Sequence, residues 1–359
     1  MRWRLELTEP RLTIVAKPTV NDIARVAGVS LATVDRVLNE RPGVRTVTIQ
    51  KVQEAIETLG YVRDTAAANL ARQKTYRFVF VLPDWKGQFL ASLEQGISEI
   101  ITNAPQNRTE VRTIRVPNHD HTELAATLAR LDPAEVDGLA IMAKETPIVR
   151  DAIADLRKRG IPVVSLVADQ PNSERDHFVG IDNVAAGRTA GSLLGRFTGG
   201  RRGKVLVVIT NKQSRDMIER RHGFDQVMNS EFTHLEPLPS LEGQEDPAHT
   251  EQVTLRALQQ NRDAIGIYSV GASVLGIARA ISEADLPVRP VLVDHELTEN
   301  SAELLRQGVI DAVITQNTGH LARSALRVLR AKVDKTPVIE SQENIRIDIV
   351  LRDNLPSMK

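Results

Sequence analysis

Arg36 shares one face of a short helical segment with Leu31, Ala32, Asp35 and Asn39, the five falling at offsets of zero, one, four, five and eight. A guanidinium fork can donate two parallel hydrogen bonds to O6 and N7 of a guanine, and Leu31 and Ala32 offer methyl groups suited to thymine. Thr19, Ser30, Thr33, Asn39 and Arg45 surround this face with donors of the kind that hold phosphates and set register. Asp35 is out of place among them. An acid facing DNA costs affinity unless it accepts from cytosine N4 or pairs with Arg36.

A second set of candidates stands at the ends of apolar runs: Asp84, Trp85 and Phe89, then Lys144 and Glu145, Asp169, Arg220, His295 and Glu296, and Gln316. Carboxylates and guanidinium groups can bridge the hydroxyls of a sugar, and an aromatic face covers its C–H surface. Each could equally be a solvated loop charge or half of a structural ion pair.

Elements must position both sets. A first helix begins at Thr19 or Asn21, either of which can cap it, and carries Val20, Ile23, Ala24 and Ala27 on one side until Gly28 stops it. Ser30 caps a second helix whose inner face is Val34, Val37 and Leu38. Ile49, Val52, Ile56 and Leu59, spaced three, four and three, predict a third helix ending at Gly60. From Phe78 onward the runs FVFVLP, DGLAIMA, IPVVSLV, HFVGID, KVLVVIT, AIGIYSV, PVLVDHEL and DAVITQ alternate with helical segments such as Phe89 to Ile101 and Asp182 to Phe197. Such runs predict parallel strands covered on both faces, in two doubly wound lobes whose ligands collect beyond the strand ends.

The stretch AxxAGVSxATVxRVLN followed by GVRxxTxxKVxxAIxxLGY resembles the head of the LacI/GalR family of transcriptional regulators over more than forty positions. Residues 77 to 355 are similar in pattern to the periplasmic sugar-binding proteins, whose fold that family shares, and IDNVAAGRTAG and ERRHGF carry most of that likeness. The fold implied is an all-α three-helix helix-turn-helix head on an α/β body of type I periplasmic-binding-protein form. We delimit an N-terminal arm at 1–16, the head at 17–62, a hinge at 63–76 and the body at 77–359, with one lobe about 77–181 and 317–347 and the other about 182–316 and 348–356. In the resembled family the hinge becomes helical when two copies meet on DNA and wedges a leucine into the minor groove. Leu70 holds the matching position, with Ala67 one turn before it, although Leu70 could instead pack on the body. Arg220, Glu296 and Gln316 match positions that hold sugar hydroxyls. The departures are Asp35 where Ser is common, Arg63 and Asp64 where Pro and Asn precede the hinge, Glu296 where Asp is usual, and Val270, Gly271 and Ala272 where an Asn and an Asp are expected. The last of these leaves sugar acid, polyol and neutral pentose equally open.

Formal net charge is zero, but residues 1–77 hold 13 Lys or Arg against 8 Asp or Glu, a net of +5. Positive charge is therefore concentrated where phosphates would be met. With no Cys there is no disulfide framework and no thiolate metal site. Glu6, Glu9, Pro10 and Arg11 interrupt the apolar run that a secretory signal needs, and no stretch approaches the roughly twenty apolar residues of a membrane helix. The cluster His119, Asp120 and His121 lacks a third partner at metal-ligand spacing, and no GxSxG, GKS/GKT or GxGxxG follows a strand. The expectation is a cytoplasmic, homodimeric regulator without enzymatic activity, metal or cofactor, its partners being near-palindromic operator DNA and a small carbohydrate effector. Two alternatives have different signatures. A solute-binding protein would be exported, and a carbohydrate-active enzyme would need paired carboxylates, for which Glu296 and Asp169 are the only nominees.

Overall fold

The computed structural model describes residues 18–38, 41–61, 74–103, 108–118, 120–244 and 246–356. Residues 1–16, Asn39, Ala67, Leu70 and His119, and with them most of the expected hinge, lie outside the described residues. The chain divides into two compact units at Lys74 and Thr75.

The first unit contains α1 (Val20–Ala27), α2 (Leu31–Leu38) and α3 (Thr46–Leu59). Thr19 is the cap of α1, in a reciprocal box in which the Asp22 amide donates to Thr19 Oγ1 at 3.4 Å and the Thr19 amide to Asp22 Oδ2 at 2.9 Å. Gly28 closes α1 at φ 65°, where a side chain would be strained, and the Val29 amide bonds back to Ala24 at 3.1 Å. Ser30 Oγ accepts from the Thr33 amide at 3.2 Å and so starts α2. The predicted inner faces meet: Ile23, Val34, Val52 and Ala55 are buried, with Val20, Ala24, Ala27, Val37, Leu38, Ile56 and Leu59 around them.

The second unit holds two sheets. The first lobe runs β1 (Tyr76–Asp84), α4 (Gln88–Asn103), β2 (Thr109–Pro117), α5 (His121–Ala129), β3 (Gly138–Ile141), α6 (Pro147–Lys158), β4 (Val163–Leu166) and β5 (His177–Val179). Its strands are parallel in the order β2-β1-β3-β4-β5. The second lobe takes up α7 (Asn183–Phe197), β6 (Gly203–Ile209), α8 (Arg215–Glu231), β7 (Leu235–Pro237), β8 (Leu241–Glu242), α9 (Pro247–Gln260), β9 (Ala264–Val270), α10 (Val274–Glu283), β10 (Val291–His295), α11 (Glu299–Arg306) and β11 (Ala312–Thr315). Helix α12 (Thr318–Val333) returns to pack on α4, β3 and β4, followed by α13 (Glu340–Glu343), and β12 (Asp348–Val350) crosses back to pair antiparallel with β11. The second sheet reads β12-β11-β10-β9-β6-β7, with β8 on β6.

Both faces of each sheet are covered, as continuous apolar runs require. Val79, Val81, Leu139 and Ile141 meet α5 and α6 residues, while Phe78, Phe80 and Leu82 meet Leu90, Leu93 and Leu321 on the other face. β1 lies between β2 and β3, and β6 between β7 and β9, so each sheet reverses its winding there. A crevice opens at such a point beyond the strand ends. Among the described residues no helix is long and apolar enough to cross a membrane.

Candidate functional site

On the head, the outer face of α2 is open as its spacing predicts. Leu31 is 50% exposed, Ala32 and Arg36 are exposed, and the Arg36 side chain makes no hydrogen bond or ion pair with the described residues. Asp35 does not pair with Arg36. It reaches Arg41 at 3.3 Å, so the acid is balanced by a cation that the sequence reading left out. Arg45 stands at the start of α3 without capping it through its side chain.

In the body a cleft of about 690 Å³ opens between the lobes at the two reversal points. It is lined from lobe 1 by Trp85, Lys86 and Phe89 after β1, Lys144 and Glu145 after β3, and Val167 after β4. From lobe 2 come Thr210 and Asn211 after β6, Asp216 and Arg220 on α8, Gly271 and Ala272 after β9, and Asp294, His295 and Glu296 at the end of β10. Val167, Gln244 and Glu296, at φ 66°, 56° and 71°, all line it. Left-handed backbone at non-glycine residues, one of them β-branched, costs about 1–3 kcal/mol each and gathers where function holds it.

Arg220 is the anchor. Only 2% exposed, it donates from Nε to Asn183 Oδ1 at 2.9 Å and from Nη2 to Glu296 Oε1 at 3.3 Å, while Gln316 Nε2 donates to the same oxygen at 2.8 Å. Burial raises the Glu296 carboxyl above the ordinary range, and Arg220 opposes this. Beside it, Asp294 is pushed up to about 8 by burial, and His295 is held neutral by burial and by Arg220. The Tyr268 hydroxyl lies 2.7 Å from His295 Nε2, and its ring stacks on Phe224 at 4.7 Å. Asp294 Oδ1, His295 Nδ1 and Gln316 Oε1 are buried without hydrogen-bond partners among the described residues.

Close helix packing sets Arg220 in place. A Cβ on Gly187 of α7 would lie 1.9 Å from the Arg220 carbonyl oxygen, and one on Gly223 of α8 would lie 2.0 Å from that of Val184. The glycines of IDNVAAGRTAG and ERRHGF therefore let two helix backbones touch, and Asn183 and Arg220 come together across that contact.

Two nominated residues point elsewhere. Asp84 is exposed, 3.8 Å from Arg115, and borders a separate shallow depression with Pro117 and Asp120. Asp169 is half-buried and held by Arg175, with Nη2 donating to Oδ2 at 2.6 Å, and by the Gln170 amide at 2.7 Å. It is a structural ion pair of lobe 1 and leaves the proposed enzyme pair with Glu296 without its second carboxylate. Gln316 reaches the site only through Glu296. The sequence reading missed Lys86, Asn211 and Gln244, which the loops after β1, β6 and β8 carry into the cleft, and Asp216, which the first turn of α8 places there. Val270 is buried, and the Gly271 carbonyl accepts from Thr210 Oγ1 at 2.8 Å, so that strand end offers the cleft no side-chain donor. Among the described residues no three His, Asp or Glu stand together as a metal site.

Residues 19–64 match the family of bacterial regulatory proteins of lacI type, and residues 78–337 match the periplasmic binding protein domain. The chain belongs to the periplasmic binding protein domain family and carries a lacI-family head. In it, the lacI-type head is joined to a periplasmic-binding-protein body. The chain is 35% identical to catabolite control protein A of Priestia megaterium over 148 residues, 41% of this chain and 42% of that protein. It is 38% identical over 85 residues, 24% of its length, to the maltose regulon regulatory protein MalI of Vibrio furnissii, 62% of which is covered. The match thus spans less than half of the catabolite control protein. The glucose-galactose binding protein GanP of Geobacillus stearothermophilus aligns with a TM-score of 0.69 at 19% identity, covering 79% of this chain and 99% of that one, which establishes the type I fold of the body.

Proposed function

We propose that this chain is a sequence-specific DNA-binding transcriptional regulator, a repressor, whose operator affinity changes when a small carbohydrate-like ligand binds between the lobes. The observation that carries the reading is the open face of α2, with the Arg36 side chain unpartnered among the described residues, on a three-helix head that matches the lacI family at residues 19–64. Arg36 reads a base, Leu31 and Ala32 meet methyl groups, and Thr19, Ser30, Thr33 and Arg45 hold phosphates. One head covers one half-site. A homodimer therefore sets two α2 helices on major-groove faces about 34 Å apart, and the operator is near-palindromic. The protein works in the cytoplasm and performs no catalysis.

Control follows if the ligand binds the DNA-competent and incompetent states unequally, the usual scale of such coupling being about 1–3 kcal/mol. The lobes already meet across the cleft mouth, where Arg215 Nη1 lies 3.5 Å from Glu145 Oε2, so closure has a contact to make or break. Selection of duplexes from a random pool by the full chain tests the reading. Enrichment of a two-fold-related pair of half-sites is expected, and recovery of no sequence above background would sink it.

A further inference from the structure

We propose that the ligand of the cleft is an anionic carbohydrate, a sugar carrying a carboxylate or phosphate, whose acid group is held by Lys86 and Lys144. The inference rests on the reading of the cleft as an effector site and names the chemical class of that effector.

Lys86 and Lys144 follow β1 and β3, which are hydrogen-bonded neighbours with Val81 opposite Ile141, and both side chains line the cleft at the reversal point of lobe 1. Neither ammonium makes an ion pair or hydrogen bond with a described residue. Of the acids that line the cleft, all but Asp216 are engaged or disfavoured as charges. Glu145 faces Arg215 at 3.5 Å and Arg150 at 4.0 Å and accepts from the Asn172 amide at 3.2 Å. Glu296 faces Arg220 and Gln316, and burial disfavours the charged form of both Glu296 and Asp294. Asp216 is left to accept from sugar hydroxyls. Two lysines at a ligand cleft, without an ion-pair partner among the described residues, can supply charge-assisted hydrogen bonds to an anion.

The opposite wall agrees. Helices α8, α10 and α11 all begin at the cleft, through Ser214 and Arg215, Ser273 and Val274, and Thr298 and Asn300, so their positive ends face it. The Ser273 hydroxyl does not cap α10. Val270, Gly271 and Ala272 give no polar pair for hydroxyls, so this site separates ligands by charge more than by hydroxyl pattern.

The test is calorimetric titration of the full-length protein with matched probes: gluconate, glucose 6-phosphate and glucose; galacturonate and galactose; ribose 5-phosphate and ribose. At least one acid is expected to bind with its neutral parent about a hundredfold weaker, and Lys86→Met and Lys144→Met should each weaken that acid about tenfold, as loss of a bond to a charged group implies. Whether carboxylates or phosphates respond separates the two sources of the charge. A neutral parent that binds as tightly as its acid, lysine variants that both bind the acid like wild type, or no binding by any acid would overturn the proposal. Operator affinity measured with the same probes separates this from failure of the regulatory reading. A neutral sugar that shifts operator affinity would remove the lysines' role and keep the control, whereas a lysine-dependent acid that leaves operator affinity unchanged would do the reverse.

Discussion

Gly187→Ala pits two opposed effects against each other in one helix. Replacing glycine by alanine in a helix interior gains about 1 kcal/mol of propensity, so on local grounds the variant is more stable. Against this, the new methyl would sit 1.9 Å from the Arg220 carbonyl oxygen, 2.7 Å from its carbon and 2.9 Å from its Cα. Carbon contacts rest at about 3.5 Å, so α7 and α8 must part by more than an ångström, and the obstacle is backbone that no rotamer change can move. Overpacking costs about 1–3 kcal/mol, and the upper end applies where nothing flexible yields. A net loss of about 2 kcal/mol is expected, read as a lower unfolding midpoint by circular dichroism. Gly191→Ala, one turn along α7, is the internal control: its methyl would meet the Val227 side chain at 3.0 and 3.2 Å and the Phe224 carbonyl oxygen at 3.4 Å, so its neighbours need give far less and the cost should be much smaller. Because the displaced segment carries Arg220, Gly187→Ala should also weaken ligand binding while Gly191→Ala spares it. A Gly187→Ala protein as stable as Gly191→Ala would refute the argument that α7 and α8 touch through their backbones.

Other expectations follow from the same geometry. Asp294, raised to about 8 in the folded protein, binds a proton there that the unfolded chain has already released, so it lowers stability as pH climbs toward 8. Asp294→Asn should flatten the fall as pH climbs from about 7 toward 8, and a slope in pH-dependent melts unchanged from wild type would contradict it. Arg220→Met takes the donor from Asn183 and leaves the buried Glu296 without its cation, a loss of about 3–5 kcal/mol by the scale for broken buried pairs, measurable in urea titrations. Arg36→Ala, on an exposed side chain with no partner among the described residues, should leave the melting midpoint of the head unchanged, which a thermal scan would show.

Much of this architecture was legible because the periodicities are strong. Ile23, Val34 and Val52 announced the head core at helical spacing, and runs such as FVFVLP can only be strands buried on both faces. β2 escaped because it is the sheet edge: Glu110, Thr113 and Pro117 are exposed, and Arg115 pairs with Glu94, so its sequence shows no apolar run. The ligand cleft was legible as a place but less so as a set of side chains. Strand ends locate the crevice, but they do not say which way a side chain turns, and so Asp84 and Asp169 were nominated while Arg115 and Arg175 had already engaged them. Lys86 and Asp216 carried no motif; their positions follow from the loop path after β1 and from where α8 begins. The glycines of IDNVAAGRTAG were visible from the outset, but their use requires knowing that α7 and α8 are neighbours.

The most direct test of the central claim is an anisotropy titration of the selected duplex and of a scrambled duplex, at one fixed salt concentration, with wild-type protein and with Arg36→Ala. The account predicts that wild type prefers the selected duplex by about 10³-fold or more, and that Arg36→Ala binds both duplexes at the weaker, salt-dependent level set by phosphate contacts alone. Retention of the full preference by Arg36→Ala, or equal affinity of the wild type for both duplexes, would contradict it.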